Sequence, residues 1–148
     1  MEESNQQIIN EKDAEIDQRR IQKLIAHILK SEGLAPETIL NVVFTDNETI
    51  HELNNRFLDR DSSTDVLSFN VHTEYLPSEL HILGDVFISV EKANEQAENF
   101  QVQLQDELER LVTHGILHLI GYEHDEPERQ EKMEALTENY LGFSDREK

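Results

Sequence analysis

The segment from Gln103 to Ile120 constrains this chain more than any other. Leu104, Leu108, Leu111, Val112, Ile116, Leu117, Leu119 and Ile120 recur at helical spacing, and in the second half they occupy several sides of the helix. Such a helix cannot lie on a surface, so the rest of the fold must cover it. It nevertheless carries two imidazoles, His114 and His118, four residues apart and therefore one turn apart on one face. Gly121 offers a residue able to leave the helix in the left-handed region, and His124 follows three residues later. The full spacing is H-x-x-x-H-x-x-G-x-x-H.

A pair of inert core histidines is one reading of this pattern. Burying two imidazoles on the most apolar helix is costly without strong partners. Gly115, inside the helix, costs about 1 kcal/mol relative to alanine and needs a packing or access reason. His124 arrives where a turn can fold it back toward the pair. A metal site with His114, His118 and His124 as ligands accounts for all three features. The chain has no cysteine, which excludes disulfides and thiolate ligands. Three imidazoles suit one Zn²⁺ ion best, with Ni²⁺ or another first-row ion as the alternative. Three protein ligands leave one position for water, whose pKa a bound zinc lowers to about 7.

Other segments outline the fold. Ile16, Ile21, Leu24, Ile25, Ile28 and Leu29 predict a helix from Asp13 to Ser31, stopped by Gly33 and Pro36, with His27 a partly buried structural residue beside the stripe. Ile8-Ile9 suits a short edge strand, and Ile39–Phe44 reads as a strand. Thr45 and Glu48 have the spacing of a capping box opening a second helix, on which His51 is a surface residue and Arg56 and Arg60 bring positive charge near the end. Asp61–Asp65 is a turn into the strand Val66–Phe69. The stretch from Asn70 to His81, with His72, is an irregular loop. Ile82–Ile88 is a strand interrupted by Gly84, a residue that marks a bulge or a close approach of another backbone, with Asp85 beside it. Ser89 caps a helix to about Gln101, and the last helix begins near Pro127. The expected fold class is α+β: a small mixed β-sheet packed with about five helices, the central apolar helix carrying the two metal-binding histidines. One domain over residues 1–148 fits the length.

Charge and targeting limit the function. The formal net charge of −19 opposes nucleic acid unless cations gather locally. No apolar run spans a bilayer and the first residues have no signal-peptide character, so a cytoplasmic protein without a membrane partner is expected. The histidine spacing is shared with the metzincin proteases, H-E-x-x-H-x-x-G-x-x-H, but their general-base glutamate is here Gly115. Glycine cannot take a proton, so a metzincin-like metalloprotease is the weaker alternative.

His114-Gly-Ile-Leu-His118-Leu-Ile-Gly-Tyr-Glu-His124, followed by Met133, resembles the signature of the YbeY family of bacterial endoribonucleases. Thr64-Asp65-Val66-Leu67-Ser68-Phe69 and Gly84-Asp85-Val86-Phe87-Ile88-Ser89 are similar to that family's second and third motifs, and the resemblance runs from about Ile39 to Gly142. It implies a single-strand-specific, metal-dependent endoribonuclease acting in 16S rRNA 3′-end maturation and ribosome quality control. Single-stranded 16S rRNA, the small ribosomal subunit and its assembly factors are the implied partners, with zinc on His114, His118 and His124. The chain departs from the family pattern at Glu123, where the family has Asp, and at Leu58, where it has an Arg suited to phosphate. Arg56 or Arg60 is the expected substitute for that guanidinium, and Asp85 is expected to orient a ligand histidine or steer water. Thr64, Asp65 and Ser68 are expected to shape the cleft wall. The second reading is a non-catalytic ribosome-assembly factor whose zinc serves structure.

Overall fold

The computed structural model describes residues 5–58, 64–70, 81–123 and 125–146. Element order is β1 (Gln6–Asn10), α1 (Gln18–Ser31), β2 (Ile39–Thr45), α2 (Asn47–Leu58), β3 (Val66–Phe69), β4 (Ile82–Ser89), α3 (Val90–Phe100), α4 (Leu104–Ile120) and α5 (Pro127–Arg146). The strands form one sheet in the order β1-β2-β4-β3, with β1, β2 and β4 parallel and β3 antiparallel on the outer side of β4. This is the expected α+β class with a mixed sheet and five helices. Ile8 and Ile9 lie in an edge strand, also as expected.

Two helix starts differ from expectation. Asp13 has φ of +50° and Asn10 hydrogen-bonds both backbone groups of Ala14, which closes a turn where the helix was expected to begin. The helix starts instead after Asp17, whose carboxylate accepts from the Arg20 N–H at 3.1 Å. Ile16 still packs on the core, but from outside α1. The Thr45 capping box does not form. Thr45 completes β2 in register with Ser89, and the cap passes to Asp46, which accepts from the Thr49 N–H at 2.8 Å. At α3 the expected cap is present: the Ser89 hydroxyl accepts from the Lys92 N–H at 3.1 Å.

Alternation along the strands separates the two faces of the sheet. Leu40, Val42, Phe44, Val86 and Ile88 are buried on the face that receives α1 and α4. Leu67, Phe69, Asp85 and Phe87 lie on the other face, where the rings of Phe57, Phe69 and Phe87 make successive edge contacts that seat α2. The sheet closes one side of α4, and α1, α3 and α5 pack against its remaining sides. Leu108, Leu111, Val112, Ile116, Leu117 and Leu119 are buried, so α4 is the central helix its composition demands.

Polar groups tie this core together. Glu109 on α4 is 1% exposed, and its carboxylate accepts from Arg20 at 3.0 Å, from Gln105 at 2.7 Å and from the Ser144 hydroxyl. A carboxylate so deeply buried is tolerable because α1, α5 and α4 itself each supply a donor. Glu32, at the end of α1, accepts from the Tyr122 hydroxyl at 2.8 Å and from the Tyr140 hydroxyl, linking α1 to the turn after α4 and to α5. His27 stacks on Phe143 with ring centroids 3.9 Å apart and meets Tyr140 edge-on, the structural role expected of it.

Gly84 shows why β4 contains a glycine. The β2–β4 register shifts there, φ is +143°, and a Cβ would stand 2.2 Å from the Phe69 carbonyl oxygen. Both expected features, bulge and close backbone approach, are present.

Gly84→Ala should therefore lower stability by about 3 kcal/mol, read as a reduced urea midpoint; an unchanged midpoint would contradict the close approach. A second expectation concerns alkaline pH. Burial and the bond to Glu32 raise the Tyr140 pKa, and the bond to Glu32 followed by burial raises that of Tyr122. Unfolded tyrosines ionise near pH ~10, whereas these stay protonated in the folded chain to higher pH. Their contribution is thus fully present below about pH 10 and is lost as pH rises beyond it, by at most about 1.4 kcal/mol per pH unit for each group. Tyr140→Phe should flatten the fall of the urea midpoint above that pH; equal slopes in both proteins would refute the assignment.

Candidate metal centre

The site begins with how closely α4 approaches the sheet. A Cβ on Gly115 would lie 2.5 Å from Val86 Cγ1, so the glycine lets the helix backbone sit directly on β4. Ser68 of edge strand β3 donates its hydroxyl hydrogen to the Gly115 carbonyl at 2.9 Å. Asn70 donates to the Leu119 carbonyl at 3.1 Å, one turn further along. The strand edge is thereby strapped to α4 on both sides of His118.

With the helix so fixed, His114 and His118 are half-buried at its rim rather than enclosed in the core. Their Nε2 atoms are 3.1 Å apart, with ring planes inclined at 72°. Two nitrogens at about 2.0–2.1 Å from one tetrahedral ion would be about 3.3 Å apart. The pair therefore fits a shared zinc-sized cation, each imidazole offering Nε2 as acceptor. Among the described residues no third His, Cys, Asp or Glu joins them. His124, the expected third ligand, lies outside the described residues, as do Arg60, His72 and residues 61–63 of the expected turn.

The turn leading toward His124 is nonetheless anchored. Gly121 ends α4 with φ of +122°, the positive φ its position called for, and its N–H bonds the Leu117 and His118 carbonyls. Tyr122 donates its N–H to the Leu117 carbonyl at 3.0 Å and its hydroxyl to Glu32. The chain thus reverses within a few residues of His118.

Other residues singled out from the sequence are placed elsewhere. Asp85 accepts from the Asn41 side chain at 3.0 Å and faces away from α4, because the adjacent Val86 is the residue that meets Gly115. The structure does not bring it to the histidine pair. Arg56 is exposed on α2, across the sheet from α4. Leu58 is the last residue of α2. Asp65 accepts from Gln96 at 3.2 Å and from the Thr64 hydroxyl, so it joins β3 to α3. His51 is exposed on α2, and His81 is exposed with its Nε2 3.6 Å from Glu37.

Two residues escaped notice in the sequence. Glu107 and Arg110 continue the His114–His118 stripe toward the start of α4, at the i−7 and i−4 positions from His114. Arg110 donates from Nε and Nη2 to the Glu107 carboxylate at 2.9 and 2.6 Å, and this pairing raises the Arg110 pKa further. Arg110 and His114 line a cavity of about 150 Å³, closed by Gln130, Met133, Glu134, Thr137 and Glu138 of α5. The periodicity that paired the histidines would have found Arg110 had the stripe been extended one turn backward.

Comparison with known proteins places this geometry in a family. The model of the family described as Endoribonuclease YbeY matches residues 6–144. The chain is 37% identical over 131 residues to the endoribonuclease YbeY of Lysinibacillus sphaericus, covering 82% of each chain. It is 36% identical over 139 residues to that of Aquifex aeolicus, covering 94% of this chain and 91% of the relative. A solution structure of a Thermotoga maritima protein superposes with a TM-score of 0.65 at 26% identity, over 94% of this chain and 88% of that one. By family model, by identity and by fold, this chain belongs to the endoribonuclease YbeY family.

Proposed function

We propose that the chain is a metal-dependent endoribonuclease specific for single-stranded RNA, acting in 16S rRNA 3′-end maturation and ribosome quality control within the cytoplasm. The observation that carries the reading is the convergence of His114 Nε2 and His118 Nε2 to 3.1 Å, in a chain of the endoribonuclease YbeY family. His114, His118 and His124 would hold one Zn²⁺, with Ni²⁺ or another first-row ion as the alternative. When bound, such a cation supplies Lewis acidity for a phosphodiester and acidifies water.

The chain's own residues provide the rest. Gly115 and Ser68 set the depth and rotation of α4, which keep both ring nitrogens aimed at one point. The Glu32–Tyr122 bond fixes the turn that precedes His124. Asp85 and Arg56 stand apart from the histidine rim in this reading, and Arg60 is assigned no contact. Among the described residues no helix is long and apolar enough to cross a bilayer.

Gly115 also weighs against proteolysis. A metzincin places its general-base glutamate at this position, but here a Cβ would already collide with Val86. A carboxylate at residue 115 would have no room, so the shared spacing serves ligand placement and not the protease reaction.

Zinc-loaded protein should contain about one metal per chain and cleave single-stranded RNA, with chelation abolishing cleavage and zinc restoring it. His114→Ala should lose both metal and cleavage while keeping the wild-type circular dichroism spectrum. Cleavage that persists equally in the chelated protein and in this variant would rule out the nuclease reading. Metal and RNA binding without any cleavage would establish the assembly-factor reading in its place.

A further inference from the structure

The RNA reading leaves a physical difficulty: a chain of net charge −19 must hold a polyanion at a rim whose described surroundings are acidic. Arg110 is the cation placed to resolve it. It stands four residues before His114, about 6 Å along the same face of α4, and lines the same cavity.

The geometry of its ion pair shows which part of the guanidinium is committed. Glu107 is 2% exposed and takes Nε and Nη2 side-on, whereas the Arg110 side chain is 35% exposed. In a planar guanidinium the Nη1 edge then points away from the carboxylate. Among the described residues no hydrogen bond is made from Nη1. Glu107 thus acts as a buttress. It holds the fork in one orientation, and Asp65 and Glu138 further favour its charged form. A surface pair of this i,i+3 spacing would ordinarily be weak and mobile. Here the buried carboxylate makes it rigid, and a preorganised guanidinium donates to a phosphate at little entropic cost.

We propose that Arg110 is a substrate-binding residue that donates from its Nη1 edge to a backbone phosphate of single-stranded RNA bound across the His114–His118 rim, with Glu107 as its positioning residue. This rests on the RNA reading of the site.

The test measures binding of a fluorescent single-stranded RNA to zinc-loaded protein by anisotropy across a range of salt. Glu107→Gln combined with Arg110→Gln leaves net charge unchanged, so a change reports local contact and not the overall field. This double variant should keep its zinc, bind about tenfold more weakly, and show a log-affinity against log-salt slope shallower by about 0.7, the share of one single-strand phosphate. Arg110→Lys keeps the charge beside Glu107 but loses the fork, and should also weaken binding several-fold. Exposed Arg19→Gln should change neither quantity. Wild-type affinity and slope in the double variant would overturn the assignment while leaving the nuclease reading intact. Should the double variant fail to fold, wild-type affinity in Arg110→Lys would overturn it instead. A wild-type protein that binds no RNA at any salt would remove the RNA reading, and the Arg110 assignment with it.

Discussion

The contact between Gly115 and Val86 is the constraint on which the remaining geometry depends. An α-helix normally stands off a sheet by the thickness of its side chains; at Gly115 there is none, and the helix backbone meets a strand residue directly. That approach brings the Gly115 carbonyl within reach of the Ser68 hydroxyl, which fixes the rotation of α4 as well as its depth. Rotation decides whether His114 and His118 face the core or the rim. With residue 115 against the sheet, residues 114 and 118 fall to one side of that contact, half-buried and convergent. A larger residue would push the helix outward and break the Ser68 bond together with the alignment of the rings. Gly84 performs the corresponding service for β4, since the place of its missing Cβ is crowded by the Phe69 carbonyl and by Leu119 of α4.

Carboxylates, those of Glu107 and Glu109 buried and that of Glu32 half-buried, form the second layer of organisation, and they differ in what they hold. Glu109 ties α4 to α1 and α5 through Arg20 and Ser144, far round the helix from the histidines. Glu32 ties the end of α1 to two tyrosines, one of them in the turn after α4. Glu107 holds one arginine on its own helix. The first two join elements together, whereas the third orients a side chain that takes no part in packing the sheet. Burying the Glu107 and Glu109 carboxylates is costly, and of these two only Glu107 has its compensating donor beside the histidine rim.

The elements of the fold were largely legible along the chain, because apolar periodicity and capping residues act locally. The strands Val66–Phe69 and Ile82–Ser89, the Ser89 cap and the Pro127 start all follow from near neighbours in sequence. The starts of α1 and α2 have different causes. Asn10 closes a local turn against Ala14, so α1 begins only after Asp17, whereas Thr45 is kept in strand register by β4, so the α2 cap passes to Asp46. At α2, pairing between distant strands thus outweighed a local capping preference. The position of Asp85 was illegible for a similar reason. Its motif is contiguous with Gly84, but adjacent strand residues point to opposite faces, and only the packing of Val86 on Gly115 reveals which face α4 takes.

The sequence by itself determined that the helix ending at Gly121 must be central and that its two histidines share a face. Both follow from a period of 3.6 residues and from the cost of exposing apolar surface. It also excluded thiolate ligands and marked both Gly84 and Gly115 as positions needing a reason. Only the tertiary structure decided which side of that helix meets the sheet, and hence that the histidines lie at the rim with Arg110 while Asp85 and Arg56 lie across the sheet. Periodicity defines a face without saying what it faces; that is settled by the closest contact the packed layers permit, here a glycine against a valine.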